Sequence, residues 1–342
     1  MTRYYSFDLL KCIAIILVVF YHASNTNIIV HDILFPLYSI GVPLFFIVNG
    51  ALLFNKDFAT DKHYRKILKI IILTIVWTFI ILSLISIFGE KDFTLAEIVK
   101  IGWFGDTKYV INQYWFLKAL IILYLFFPLF KRTFDVDKFN IIIFFSICTV
   151  FTIGLTSIYL LHQLFNYILN KPLISEIKNY IPWYNFFENY SYSFSFAYFL
   201  IGGIILFYKD KMRRNIYLYI YCFILSWIIA VLYSYFLRQH MIQWDACFNG
   251  YSTPMTFIMT ISIFIISIIK PINKLPLLIE LISKNTLGIY LIHGIIIYFT
   301  RQFFIEANII LYFIYATFIL LTSLFIILFC KQLPYIRKLF II

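Results

Sequence analysis

Apolar positions run along this chain in long blocks, broken at intervals by short clusters of charged, amide and proline residues. About 20 apolar residues carry an α-helix across the hydrocarbon core of a bilayer. Ten blocks meet that need, at roughly 7–25, 34–54, 67–88, 115–134, 140–161, 194–208, 216–237, 253–269, 284–304 and 307–330. Polar positions inside them recur with helical spacing or are missing, and the dyad alternation of a β-barrel strand is not seen. The pattern predicts an all-α, polytopic membrane helix bundle of about ten transmembrane helices. No repeat, low-complexity tract or soluble-domain stretch interrupts it, so residues 1–342 read as one integral membrane domain. The first block follows Arg3 and has no small-residue cleavage site behind it, so it is expected to remain as a helix.

Basic residues set the orientation, because Lys and Arg concentrate in cytoplasmic loops. With the N-terminus inside, the inner segments hold Arg3, the cluster from Lys56 to Lys69, Lys131, Arg132 and Lys138, and the cluster from Lys209 to Arg214. They also hold Lys270, Lys274 and Lys284, then Lys331, Arg337 and Lys338. The outer segments hold only Lys91, Lys100, Lys108, Lys171, Lys178, Arg238 and Arg301. Ten helices with both termini cytoplasmic keep every inner segment basic, and an odd number breaks that order. The two longest connections, about 89–114 and 162–193, then lie outside and are rich in Trp, Tyr, Phe and Asn. Interfacial aromatic belts account for this composition, and so does an outward mouth for a sugar.

Composition agrees with the block pattern. The chain is 63% hydrophobic and 13% charged, with mean hydropathy +0.90, whereas soluble domains run near 45–50% and 25%. The net charge of +12 is the charge of cytoplasmic loops in contact with membrane lipid, and no nucleic-acid partner is expected. Cys12, Cys148, Cys222, Cys247 and Cys330 are scattered without metal or redox spacing, and no metal site is expected.

One block carries more polarity than a span needs. In "DLLKCIAIILVVFYH", Asp8 and Lys11 stand near one end and His22 at the other. At about 100° per residue, the eleven-residue step from Lys11 to His22 ends about 20° past three full turns, and Asp8 lies three residues before Lys11. All three share one face, and about 16 Å of helix separates Lys11 from His22. A charge at mid-membrane costs at least about 2.5–3.5 kcal/mol, so such groups usually face a bundle interior or a wet cavity. Snorkelling accounts for Lys11 alone, an ion pair for Asp8, and an interfacial position for His22. As one stripe they fit the lining of a channel or cleft. A histidine there can take and return a proton near neutral pH.

The same residues carry a family resemblance. "FDLLKCIAIILVVFYH" resembles the first helix of the membrane acyltransferase-3 family, polytopic O-acyltransferases that modify bacterial surface glycans. "GVPLFFIVNGALLF", "YWFLKALIILYLFFPLF", "GYSTPMTFIMTISIF" and "NTLGIYLIHGIII" resemble later helices of that family, in order, over about residues 4–330. The family's Arg, ten residues, then His appears here as Lys11 and His22, and its Arg-x-x-Arg as Lys66 and Lys69, with Arg65 adjacent. Lys binds phosphate as a point charge and lacks the guanidinium fork. The match is to short members without an appended soluble domain.

The resemblance implies a multi-pass protein of the bacterial cytoplasmic membrane. It would transfer an acyl group, acetyl by default, from cytoplasmic acyl-CoA (acetyl-CoA) to a hydroxyl of a surface polysaccharide or lipid-linked glycan, with no permanently bound cofactor. Lys66, Lys69, Arg65 and Lys11 would meet the donor's phosphates. His22 would serve as general base, a covalent acyl-histidine being the variant, with Asp8 supporting Lys11. For the acceptor side the candidates are Trp115, Asn112, Gln113, His293 and Tyr290, although an interfacial anchor accounts for Trp115 and an interhelical hydrogen bond for His293. Asn49 reads as an interhelical hydrogen bond. The rival reading is a transporter or flippase of a lipid-linked sugar, which predicts paired broken helices and has no need of the Lys11 to His22 spacing. A glycan polymerase ranks third, for want of large polar outer loops.

Overall fold

The computed structural model describes residues 4–23, 30–88, 93–104, 113–173, 193–212, 215–240, 250–304, 308–333 and 337. All ten predicted blocks are helical. Among the described residues, seven runs are long and apolar enough to cross a membrane: Tyr5–Ala23, Asp32–Phe54, Thr60–Phe88, Lys138–Ile168, Ile216–Gln239, Thr286–Phe304 and Ile309–Cys330. Three more helices complete the predicted set. Trp115–Val136 carries charge at both ends, and Ser193–Phe207 and Pro254–Ile269 are apolar but short, at 15 and 16 residues.

In chain order the α-helices are α1 (Tyr5–Ala23), α2 (Phe35–Tyr38), α3 (Gly41–Phe54), α4 (Thr60–Phe88), α5 (Leu95–Phe104), α6 (Trp115–Val136) and α7 (Lys138–Thr149). They continue with α8 (Leu155–Ile168), α9 (Ser193–Phe207), α10 (Ile216–Gln239), α11 (Pro254–Ile269), α12 (Leu277–Lys284), α13 (Thr286–Thr300) and α14 (Ile309–Cys330). α7 and α8 form one run through a π-helical turn at Val150–Gly154.

Burial sorts these helices. α3 and α9 are hydrophobic all round and nearly wholly buried, as expected for helices at the centre of a bundle. α1 packs against α3, α12, α13 and α14. α10 sits at the edge: it buries the small residues Ser226, Ala230 and Ser234, while Tyr221, Ile228, Leu232 and others point outward, as on a lipid-facing helix.

The structure corrects two details. Block 34–54 is not one unbroken α-helix, because a turn at Ser39 and Ile40 separates α2 from α3. Pro43 has no N–H to offer the Ser39 carbonyl, so the ladder fails there, while Pro36 and Pro43 both sit in first turns where a missing donor is tolerated. Two short helices, α5 and α12, lie outside the ten blocks.

Candidate active site

The site begins with a proline. Pro128 lies inside α6 and has no N–H for the carbonyl four residues earlier, that of Tyr124. His63, in the first turn of α4, fills the vacancy, with Nε2 2.7 Å from the Tyr124 oxygen. A carbonyl only accepts, so Nε2 carries the proton. The Tyr124 hydroxyl donates to Asn49 Oδ1 at 3.0 Å and accepts from Lys66 Nζ at 3.3 Å. The same ammonium stands 5.0 Å from the centre of the Tyr124 ring. Asn49 is fixed in turn by its amide, which donates to the Phe45 carbonyl at 2.8 Å.

Phe45, Asn49, Lys66 and Tyr124 form one wall of a cavity of about 270 Å³. Its polar lining is Lys11, Lys66, Asn49, Tyr124, Ser283 and Thr286; Phe45, Ile70, Phe116, Leu117, Leu120 and Leu287 supply the apolar part, and Tyr290 closes the set. Lys11 pairs with Asp8 at 3.4 Å. Lys331 donates to Asn285 Oδ1 at 2.5 Å, beside the start of α13, so α1 and α13 both enter the bundle from this basic end.

Beyond Tyr290 lie two histidines. The Tyr290 and His293 rings are 5.8 Å apart between centres, and the His293 and His22 rings 5.4 Å. His293 is wholly buried and His22, in the last turn of α1, is half-buried. The start of α6 is stitched to α13 around them. The Tyr290 hydroxyl donates to the Gln113 carbonyl, the Gln113 amide donates to the Tyr290 carbonyl at 3.4 Å, and the Tyr114 hydroxyl donates to the Leu291 carbonyl at 3.1 Å.

The sequence candidates therefore fall into groups. Lys11, Lys66 and Tyr290 line the cavity; Asp8 holds Lys11; His22, His293 and Gln113 gather past Tyr290. Arg65 and Lys69 flank Lys66 on exposed positions outside the cavity lining. Trp115 packs among Phe46, Phe194 and Tyr251 rather than in the cavity. Asn112 lies outside the described residues.

Sequence reading passed over Tyr124, His63, Ser283, Thr286 and Lys56. The signal for the first two was Pro128, which had to leave one carbonyl free. Lys56, in the turn after α3, has its pKa held below the usual lysine value, first by partial desolvation and then by the positive charges of Lys66 and Lys11. Among the described residues no cluster of His, Cys, Asp or Glu could hold a metal ion.

The fold and site together define a helical membrane bundle with a lysine-lined cavity, bordered by Tyr290, whose ring lies beside the His293 and His22 pair. Residues 4–330 match the profile of the acyltransferase-3 family, described as an acyltransferase domain, and the chain belongs to that family. It is a membrane acyltransferase. No curated protein and no solved structure gives a significant match.

Proposed function

We propose that the protein moves an acetyl group from cytoplasmic acetyl-CoA to a hydroxyl of an extracytoplasmic bacterial surface glycan, with His22 as general base. The observation that carries this reading is the cavity, which combines Lys11 and Lys66 with an apolar wall and is bordered by Tyr290, whose ring lies next to His293 and, past it, His22. Acyl-CoA has that order of chemistry: phosphates, a long uncharged arm, then a thioester. Lys11 and Lys66 meet phosphate oxygens with charge-assisted hydrogen bonds, and Lys69, Arg65 and Lys56 add to the attracting field at the surface. The pantetheine arm lies along Ile70, Leu117 and Leu120.

His22 takes the proton of the acceptor hydroxyl as its oxygen attacks the thioester carbonyl. The new C–O bond forms, the C–S bond breaks, and the proton passes from His22 to the departing thiolate, so no redox partner is needed. Positioned acid–base catalysis of this kind is worth about 10²–10⁴-fold. Gln113 and Tyr290 shape the acceptor side, and Trp115 holds the neighbouring helices in register. In the native host's cytoplasmic membrane, NMR of the surface polysaccharide tests the proposal, comparing wild type with His22→Ala at matched protein level. Loss of O-acetyl signals with unchanged glycan amount is expected. Full acetylation with depleted surface glycan would replace the enzyme reading by a transporter of a lipid-linked sugar.

A further inference from the structure

His293 makes half of its available hydrogen bonds. Its Nδ1 lies 3.1 Å from the Ile289 carbonyl oxygen, and a carbonyl only accepts, so Nδ1 holds the proton and Nε2 presents a lone pair. That Nε2 is buried and has no hydrogen-bond partner. A buried acceptor left unpaired costs about 1–3 kcal/mol, so a leucine would serve packing better at this position. The polar neighbours on α13 and just before α6 are already engaged. The Tyr290 hydroxyl is committed to the Gln113 carbonyl, the Gln113 amide to the Tyr290 carbonyl, and the Tyr114 hydroxyl to the Leu291 carbonyl. On α1 stands His22, its ring centre 5.4 Å away and tilted 41°. That is near enough for a small ring rotation to bring one nitrogen to the other.

We infer that His293 is the positioning residue of the transfer reaction: its Nε2 receives a hydrogen bond from His22 while His22 carries the acceptor's proton. The inference rests on His22 as the base. A newly formed imidazolium in an apolar surrounding needs an acceptor, and His293 offers one already oriented by Ile289. No bond to His293 forms or breaks; it steadies the charged state between attack and departure of the thiolate.

The test uses the full chain in native membranes supplied with labelled acetyl-CoA, with incorporation into glycan as the rate. Detergent-solubilised protein gives the melting temperature and acetyl-CoA affinity. His293→Leu is expected to melt at or above the wild-type temperature and to bind acetyl-CoA as wild type does, yet to transfer about 10- to 100-fold more slowly. His293→Gln, which keeps an acceptor near the Nε2 position, is expected to recover part of that rate. Wild-type transfer by His293→Leu would overturn the inference, as would losses in both variants that track lost thermal stability. His22→Ala runs in parallel: wild-type transfer by that variant would sink the base assignment itself, whereas its loss beside an active His293→Leu would sink only the role of His293.

Discussion

The Nε2 of His63 lies 2.7 Å from the main-chain oxygen of Tyr124, the one carbonyl that Pro128 leaves without a helical donor. A proline kink in one helix is thus closed by a side chain from another, as buried backbone requires where no water can reach it. His63→Phe should leave that oxygen unpaired and lower stability by about 1–3 kcal/mol. Pro128→Ala in the same chain restores the missing N–H and should recover most of the loss. Thermal unfolding of the two single variants and the double variant measures this coupling. Strictly additive effects would show that the two positions act independently.

Gly50 and Gly202 make a second interlock. A Cβ at Gly50 would overlap the Phe199 carbonyl of α9, and one at Gly202 would overlap the Ile47 carbonyl of α3. Small residues let membrane helices bring their backbones together, and packing rather than water drives such association. The obstacle in both cases is backbone, which cannot swing aside. Gly50→Ala and Gly202→Ala should each cost about 1–3 kcal/mol, read as reduced yield and a lower melting temperature. Unchanged melting in either variant would mean that α3 and α9 are not this close.

The spans were legible because lipid demands long apolar runs, and α3, α4 and α14 announce themselves that way. α12 was not, since eight residues ending at Lys284 are too short to form a block. α5 left a sign that went unused: Thr94 and Glu97 form a reciprocal capping box, Thr94 N–H to Glu97 Oε2 at 2.9 Å and Glu97 N–H to Thr94 Oγ1 at 3.3 Å. In the site, Lys11 and His22 could be placed on one stripe by helix geometry alone. The meeting of His22 with His293 could not, because the packing of α1 on α13 is a tertiary fact that neither helix's periodicity contains. Asn49 makes the helix-to-helix hydrogen bond its sequence position predicts, to Tyr124, and also lines the cavity. For a polar group between helices the two roles are not exclusive.

Lys66 separates charge from geometry. Lys66→Met removes a cation from the cavity and should weaken acetyl-CoA binding about 10- to 100-fold, the worth of a charge-assisted hydrogen bond of about 1.5–3 kcal/mol. Lys66→Arg should keep most of the affinity, since phosphate accepts either cation. Tyr124→Phe removes the hydroxyl that orients Lys66 and Asn49 and should cost less, about 1 kcal/mol. Calorimetric titration of purified protein with acetyl-CoA ranks the three. Wild-type affinity in Lys66→Met would remove this cavity as the donor site.

Lys56 should make binding of the proposed donor depend on pH in the alkaline range. Its pKa is lowered by partial burial and by the charges of Lys66 and Lys11, so it begins to lose its proton below the ordinary lysine value of about 10.4. Phosphate bound between these cations offsets the repulsion and raises the pKa again, so binding takes up a proton across that interval. The sign follows: affinity is full below the pKa of free Lys56 and falls as pH rises through it, because binding must then restore the proton. Acetyl-CoA affinity should therefore decline with rising alkaline pH, starting below the ordinary lysine range, and the binding enthalpy should vary with the ionisation enthalpy of the buffer. Lys56→Met should flatten part of this slope while leaving the fold intact, because Lys56 lies in the turn after α3, outside the helices. An unaltered slope in Lys56→Met would show that Lys56 is not the group that takes up the proton.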